Sequence, residues 1–219
     1  MNIYLDTETI PAHKPEVIAW LAAKSMKDGK DSDAALKALR DTSLSPVLGE
    51  LAVVAYAIDD NEPTVWTRDM DDPHGERRLV AAVAQDLWDM HDDVGGFPRA
   101  LHHVVAHNAA FDRTVLRTRA MVYGVSLPPQ IHALRMKPWD SPWYCTMDAL
   151  RVDRGGPSLD AACAAFGVGL LKGDIDGSKV WDYVEAGRID EVAAYCADDV
   201  RRVRAVYRAI MGVTERGVR

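Results

Sequence analysis

The chain has 219 residues, of which 48% are hydrophobic and 27% charged, a composition that suits one globular domain with a sizeable core and excludes intrinsic disorder. Its formal net charge of -7 excludes a protein that coats long nucleic acids through many phosphate contacts, though not an enzyme that grips a few nucleotides. The longest apolar run, Leu51 to Ile58, is far too short to span a bilayer, and the N-terminus lacks the basic-then-apolar pattern of a signal peptide.

Cys145, Cys163 and Cys196 are widely spaced in apolar surroundings without Cys-x-x-Cys pairing, so neither a disulfide framework nor a zinc site is expected. The expectation is a cytoplasmic protein with reduced thiols and no membrane partner.

In chain order, Ile3, Tyr4 and Leu5 predict a short buried strand with Asp6 and Glu8 arriving at its end. Side chains two apart on a strand share a face, so the two carboxylates point the same way and repel unless a cation lies between them. Carboxylate oxygens suit Mg²⁺ or Mn²⁺; an ordinary strand end with both acids in water is the alternative. The segment from Pro15 to Arg40 has helical spacing broken at Lys27 to Asp33, which predicts two helices in an insertion over about 15–45. That insertion is either a flap beside the site or a packing element. Leu51 to Ile58 and Thr64 to Thr67 read as a hairpin, and Gly75 to Met90 as an amphipathic helix. Strands followed by alternating helix and strand predict an α/β fold with a mixed sheet.

Val104 and Val105 predict a strand ending at Ala106, His107 and Asn108, followed by a helix from about Ala110 to Tyr123 that Gly124 stops. Asp112 falls in the first turn of that helix, at the sheet edge where α/β proteins gather ligands; a first-turn acid answering the helix dipole is the other reading. Pro128 to Pro142 reads as a loop, Trp143 to Met147 as a strand with Asp148 at its end, Ser158 to Phe166 as a capped helix and Gly167 to Lys179 as a glycine-rich loop. The final helix runs from about Asp190 to Met211. Tyr195 and Asp199 lie four apart on one face of it, while Arg201, Arg202, Arg204 and Arg208 read as a solvated face.

Asp6-Thr7-Glu8, then His107-Asn108 with Phe111-Asp112, then Tyr195-Cys196-Ala197-Asp198-Asp199 resemble the three motifs of the DEDD superfamily of 3′-to-5′ exonucleases. The Tyr-x-x-x-Asp ending resembles the tyrosine (DEDDy) branch; the histidine branch would carry its histidine where Ala194 stands. Thr146-Met147-Asp148 and Ser158-Leu159, in this order, further resemble stand-alone exonucleases related to the proofreading domains of family B DNA polymerases, often carried by phages. The resemblance spans the chain. It implies an RNase H-like fold, a five-stranded mixed β-sheet flanked by α-helices, in a single 3′-5′ exonuclease domain over 1–219.

By the same resemblance, Asp6, Glu8, Asp112 and Asp199 hold two divalent metal ions, Mg²⁺ or Mn²⁺, and Tyr195 orients the attacking water. Thr9 and Asn108 sit where the terminal nucleotide is held. Phe111 is open to two readings, a stacking surface for a base or a core residue, and Lys172 is a candidate phosphate contact. The implied substrate is the 3′ end of single-stranded DNA or RNA, with a separate DNA polymerase or replication protein as a further partner. Two rivals remain at this point: a non-catalytic nucleic-acid-binding protein that keeps the fold, and an RNase H-like nuclease that cuts internally.

Overall fold

The computed structural model describes residues 1–93, 95–96, 101–133, 136–137, 140–152, 155–169 and 175–212. Its strands are β1 (Asn2–Ile10), β2 (Glu50–Ile58), β3 (Thr64–Thr67), β4 (His103–Ala106) and β5 (Trp143–Cys145). They form one sheet in the order β3-β2-β1-β4-β5. β1 and β2 pair antiparallel, as do β2 and β3, whereas β1 with β4 and β4 with β5 run parallel. This is the five-stranded mixed sheet of the expected RNase H-like α/β fold.

Helices cover both faces. α1 (Pro15–Lys27) and α2 (Ser32–Arg40) form the insertion after β1; α3 (Gly75–Asp93) and α4 (Ala109–Tyr123) follow; α5 (Leu159–Phe166), α6 (Val180–Glu185) and α7 (Ile189–Ile210) close the chain. The alternation along β1 explains the two layers: Ile3 and Leu5 pack with Leu79, Val83 and Leu87 of α3 and with Val115 and Leu116 of α4. Tyr4 and Ile10 pack instead with Val192, Cys196, Val200 and Val203 of α7, whose spacing of three and four residues makes one apolar stripe. β2 serves both cores, with Val54 and Tyr56 in one and Ala52, Val53 and Ala55 in the other, so its near-continuous apolar run follows from burial on both sides.

A buried carboxylate locks the layers together. Glu76 of α3 accepts the Leu51 N–H at 2.8 Å, the Arg119 guanidinium through Nε at 2.6 Å and a second nitrogen, and the Tyr123 hydroxyl at 2.6 Å. It thereby ties α3, α4 and the start of β2, with every lone pair facing a donor. Next to Leu51 in sequence, Glu50 accepts the His13 and Lys14 N–H groups and pairs with Arg68. That anchors the chain between β1 and the insertion.

Three expectations need correction. β1 extends to Ile10 and carries Asp6 and Glu8 inside it rather than at its end. Pairing with β4 stops at Tyr4, but pairing with β2 continues through Asp6 and Glu8 to a bulge between Glu8 and Thr9. The fifth strand ends at Cys145, because Thr146–Ala149 forms a helical turn whose Asp148 N–H is capped by the Cys145 sulfur; Met147 and Asp148 are therefore helical. Within Pro128 to Pro142, Pro129–His132 makes one helical turn that buries Ile131. The apolar residues of the insertion do not join the core: Trp20 is 50% exposed and Met26 81%. Among the described residues no helix is long and apolar enough to cross a membrane.

Candidate active site

The site forms where β1 passes between α4 and α7. Asp6 and Glu8 project from the β1 face that α7 covers, Asp6 partly exposed and Glu8 nine-tenths buried. Cys196 of α7 lies against them, its thiol 3.3 Å from Asp6 Oδ2 and 3.6 Å from the Asp6 carbonyl oxygen. One turn on, Asp199 is buried and receives an Arg202 N–H at 2.7 Å. Thr7 points to the opposite face, where its hydroxyl donates to Asp112 Oδ1 at 2.8 Å. Asp112 arrives there because Asn108 turns the chain sharply from β4 into α4 with a φ of 64°, a left-handed conformation that asparagine tolerates better than most residues.

Burial is the main force raising the pKa of all four carboxyls. Asp6 is held well above the usual carboxylate range by burial and then by the negative charges of Glu8, Asp112 and Asp199, against a hydrogen bond from Cys196. Glu8 is raised similarly by burial and by Asp199 and Asp112. Burial pushes Asp112 up to about 7 despite the Thr7 hydrogen bond, and raises Asp199 against the pull of Arg202 and Tyr195. Burial together with Asp199, Glu8 and Asp6 drives Tyr195 far upward, so its hydroxyl stays protonated at neutral pH. These mutual interactions join Asp6, Glu8, Asp112, Tyr195 and Asp199 in one cluster. Glu8 receives no hydrogen bond among the described residues, and buried carboxylates left without donors call for a cation. Their hard oxygens fit a divalent ion, and Arg202 occupies only one oxygen of Asp199.

The model of a family described as "Predicted 3'-5' exonuclease related to the exonuclease domain of PolB" matches residues 51–216. The chain belongs to this family. Asp112, Tyr195 and Asp199 of the exonuclease fall inside the matched residues, whereas Asp6 and Glu8 precede them. No curated protein matches the chain. Among solved structures, the exonuclease is similar in fold to the family B DNA polymerase from the hyperthermophilic archaeon Pyrobaculum calidifontis, with a TM-score of 0.61 and 16% identity. That likeness covers 96% of the exonuclease and 24% of the polymerase chain.

The remaining expected site residues of the exonuclease differ in their surroundings. Thr9 already donates its hydroxyl to the Ser43 carbonyl at 2.7 Å, which ties β1 to the insertion. Asn108 is exposed, and its side chain makes no capping bond. Phe111 is half-buried against the core that α3 and α4 share. Lys172 lies outside the described residues.

Sequence reasoning missed three supports. Arg202 is no solvated residue: it is 9% exposed and pairs with both Asp199 and Asp160 of α5. Its spacing of three from Asp199 was the available signal. Cys196, also three from Asp199, carried the same signal. His107 offered none. Its ring nitrogens meet Thr146 Oγ1 at 2.9 Å and the Pro157 carbonyl at 3.0 Å, and burial lowers its pKa; a neutral ring donating to Pro157 fastens the end of β4 to the loop before α5. A cavity of about 860 Å³ adjoins the cluster, lined in part by Tyr195, Arg202, Tyr183 and Arg188.

Proposed function

We propose that the enzyme hydrolyses phosphodiester bonds at the 3′ end of single-stranded nucleic acid, DNA in preference to RNA, as a member of the DEDDy branch. It releases nucleoside 5′-monophosphates and works as a single domain over 1–219. The observation that carries this reading is the grouping of Asp6, Glu8, Asp112 and Asp199 around Tyr195, all four raised in pKa by burial and Asp6 and Glu8 raised further by the charges of Asp112 and Asp199. A binding protein has no need to sustain such repulsion.

Two divalent ions, Mg²⁺ or Mn²⁺, would supply the acidity that readies a water for attack and the positive charge that receives the departing 3′ oxygen. Asp6, Glu8, Asp112 and Asp199 would hold them. Tyr195 acts as a donor and not as a base, since its hydroxyl keeps its proton; it orients the attacking water by a hydrogen bond. Arg202 keeps Asp199 in place through one of its oxygens. The exposed Asn108 side chain, which makes no capping bond, is suited to hold the terminal nucleotide, with Phe111 beside it as a stacking surface. Thr9 retains its lone pairs for that nucleotide, and Lys172 remains a proposed phosphate contact. The fold likeness to a DNA polymerase favours a DNA end as substrate and a separate polymerase as partner.

The test is degradation of 5′-labelled single-stranded DNA and RNA with Mn²⁺, Mg²⁺ or EDTA, beside Asp6→Ala and Asp199→Ala proteins and a circular substrate. The expected result is a metal-dependent ladder shortening from the 3′ end, stronger on DNA, lost in both variants and absent on the circle. Cleavage that persists in EDTA or in both variants would overturn the assignment of these carboxylates.

A further inference from the structure

The thiol of Cys196 is fully buried and has Asp6 and Glu8 as its neighbours at the site. One ligand atom from each of the three lies within 4.8 Å of the other two. The closest approach, 3.3 Å between Cys196 Sγ and Asp6 Oδ2, is near the separation of about 3.5 Å that one sulfur and one oxygen adopt on a tetrahedral zinc ion. Glu8, nine-tenths buried and receiving no hydrogen bond among the described residues, supplies an unpartnered donor aimed at the same point. Asp6 is partly exposed and gives an ion a way in. Cysteine spacing conceals this set, because Asp6 and Cys196 stand 190 positions apart.

We infer that Cys196 gives the site a second, thiol-containing mode of metal binding, in which Zn²⁺ or another thiophilic divalent ion is held by Cys196, Asp6 and Glu8 and arrests hydrolysis. The inference rests on the proposed use of Asp6 and Glu8 in catalysis. Hard ions such as Mg²⁺ take oxygen donors and leave a thiol alone, whereas zinc and cadmium prefer sulfur. Binding exchanges the thiol proton for the ion: Zn²⁺ and Cys196–SH give a zinc–thiolate bond and one proton released to solvent, with no change in oxidation state. An ion drawn to the sulfur keeps Asp6 and Glu8 from the arrangement that hydrolysis needs.

Cd²⁺ is the direct probe, because a cadmium–thiolate bond absorbs in the ultraviolet without any turnover. Wild type, Cys196→Ser and a Cys145→Ser/Cys163→Ser double variant are titrated with Cd²⁺. In parallel, Zn²⁺ is titrated into each protein's own Mn²⁺-supported nuclease reaction. The expected result is a saturable absorbance in wild type and the double variant that Cys196→Ser lacks. The half-inhibitory Zn²⁺ concentration should rise about tenfold or more in Cys196→Ser, which still shows a Mn²⁺-induced rise in melting temperature. A band that persists in Cys196→Ser, or half-inhibition that moves less than about twofold, would overturn the inference. A wild type that binds Mn²⁺ but shows no thiolate band would overturn it while leaving the proposed function intact; binding of neither ion would overturn both.

Discussion

Replacing Asp112 by Asn should stabilise the metal-free enzyme while removing function. Asp112 is 3% exposed and accepts the Thr7 hydroxyl; an asparagine oxygen accepts the same bond in the same volume. Burial pushes the Asp112 carboxyl up from 3.8 to about 7, so the folded chain holds its proton more tightly than the unfolded chain does. Stability therefore falls as pH rises from about 4 to about 7 and is flat above that. The full loss from 3.8 to about 7, at about 1.4 kcal/mol per pH unit, is about 4 kcal/mol. At pH 5 only about 1.5 kcal/mol of it has accrued. The Asn variant should thus melt about 10 °C above wild type at pH 8 in EDTA and much closer to it at pH 5. Saturating Mn²⁺ should narrow or reverse the pH 8 gap, since an ion that binds only the folded site stabilises it in proportion to its affinity. Thermal and urea unfolding at both pH values, with EDTA and with Mn²⁺, supply the numbers. An Asn variant no more stable than wild type at pH 8 in EDTA, or one with equal gaps at both pH values, would refute the claim that burial penalises the charge at this position.

Two other changes probe different parts of the molecule. Glu76→Gln leaves Arg119, itself 3% exposed, with a buried charge facing a neutral amide, and should lower unfolding free energy by about 3–5 kcal/mol in urea titrations; a loss below about 1 kcal/mol would mean the Arg119 charge finds solvent or another partner. Tyr195→Phe should lower kcat about 100-fold while Mn²⁺ affinity, read from the melting-temperature response, holds; a collapse of metal affinity would instead give the hydroxyl a role in shaping Asp199.

Both halves of the site were readable as local pairs. The shared face of Asp6 and Glu8 follows from strand alternation, and the shared face of Tyr195 and Asp199 from the helical repeat. The amphipathic stripes likewise placed α3 and α7 close to their observed bounds, while the order of strands and helices carried the fold class. The insertion was harder: its helical spacing is real, yet Trp20 and Met26 remain exposed, because periodicity reports a helix and does not say what covers it. Arg202 was misread for the converse reason, since an arginine on a helix face is solvated unless another element closes over it. Here Asp160 of α5 does so.

Local covalent geometry decides which residues share a face, and that much is written in the sequence from Ile3 to Ile210. Tertiary packing alone decided that Thr7 would meet Asp112 across 105 positions and Cys196 would meet Asp6 across 190. It also decided that β1 would run on past its acids, because β2 continues to pair where β4 has ended. Burial is a property of the assembled layers, and burial is what turns these ordinary carboxylates into a repelled cluster suited to a cation.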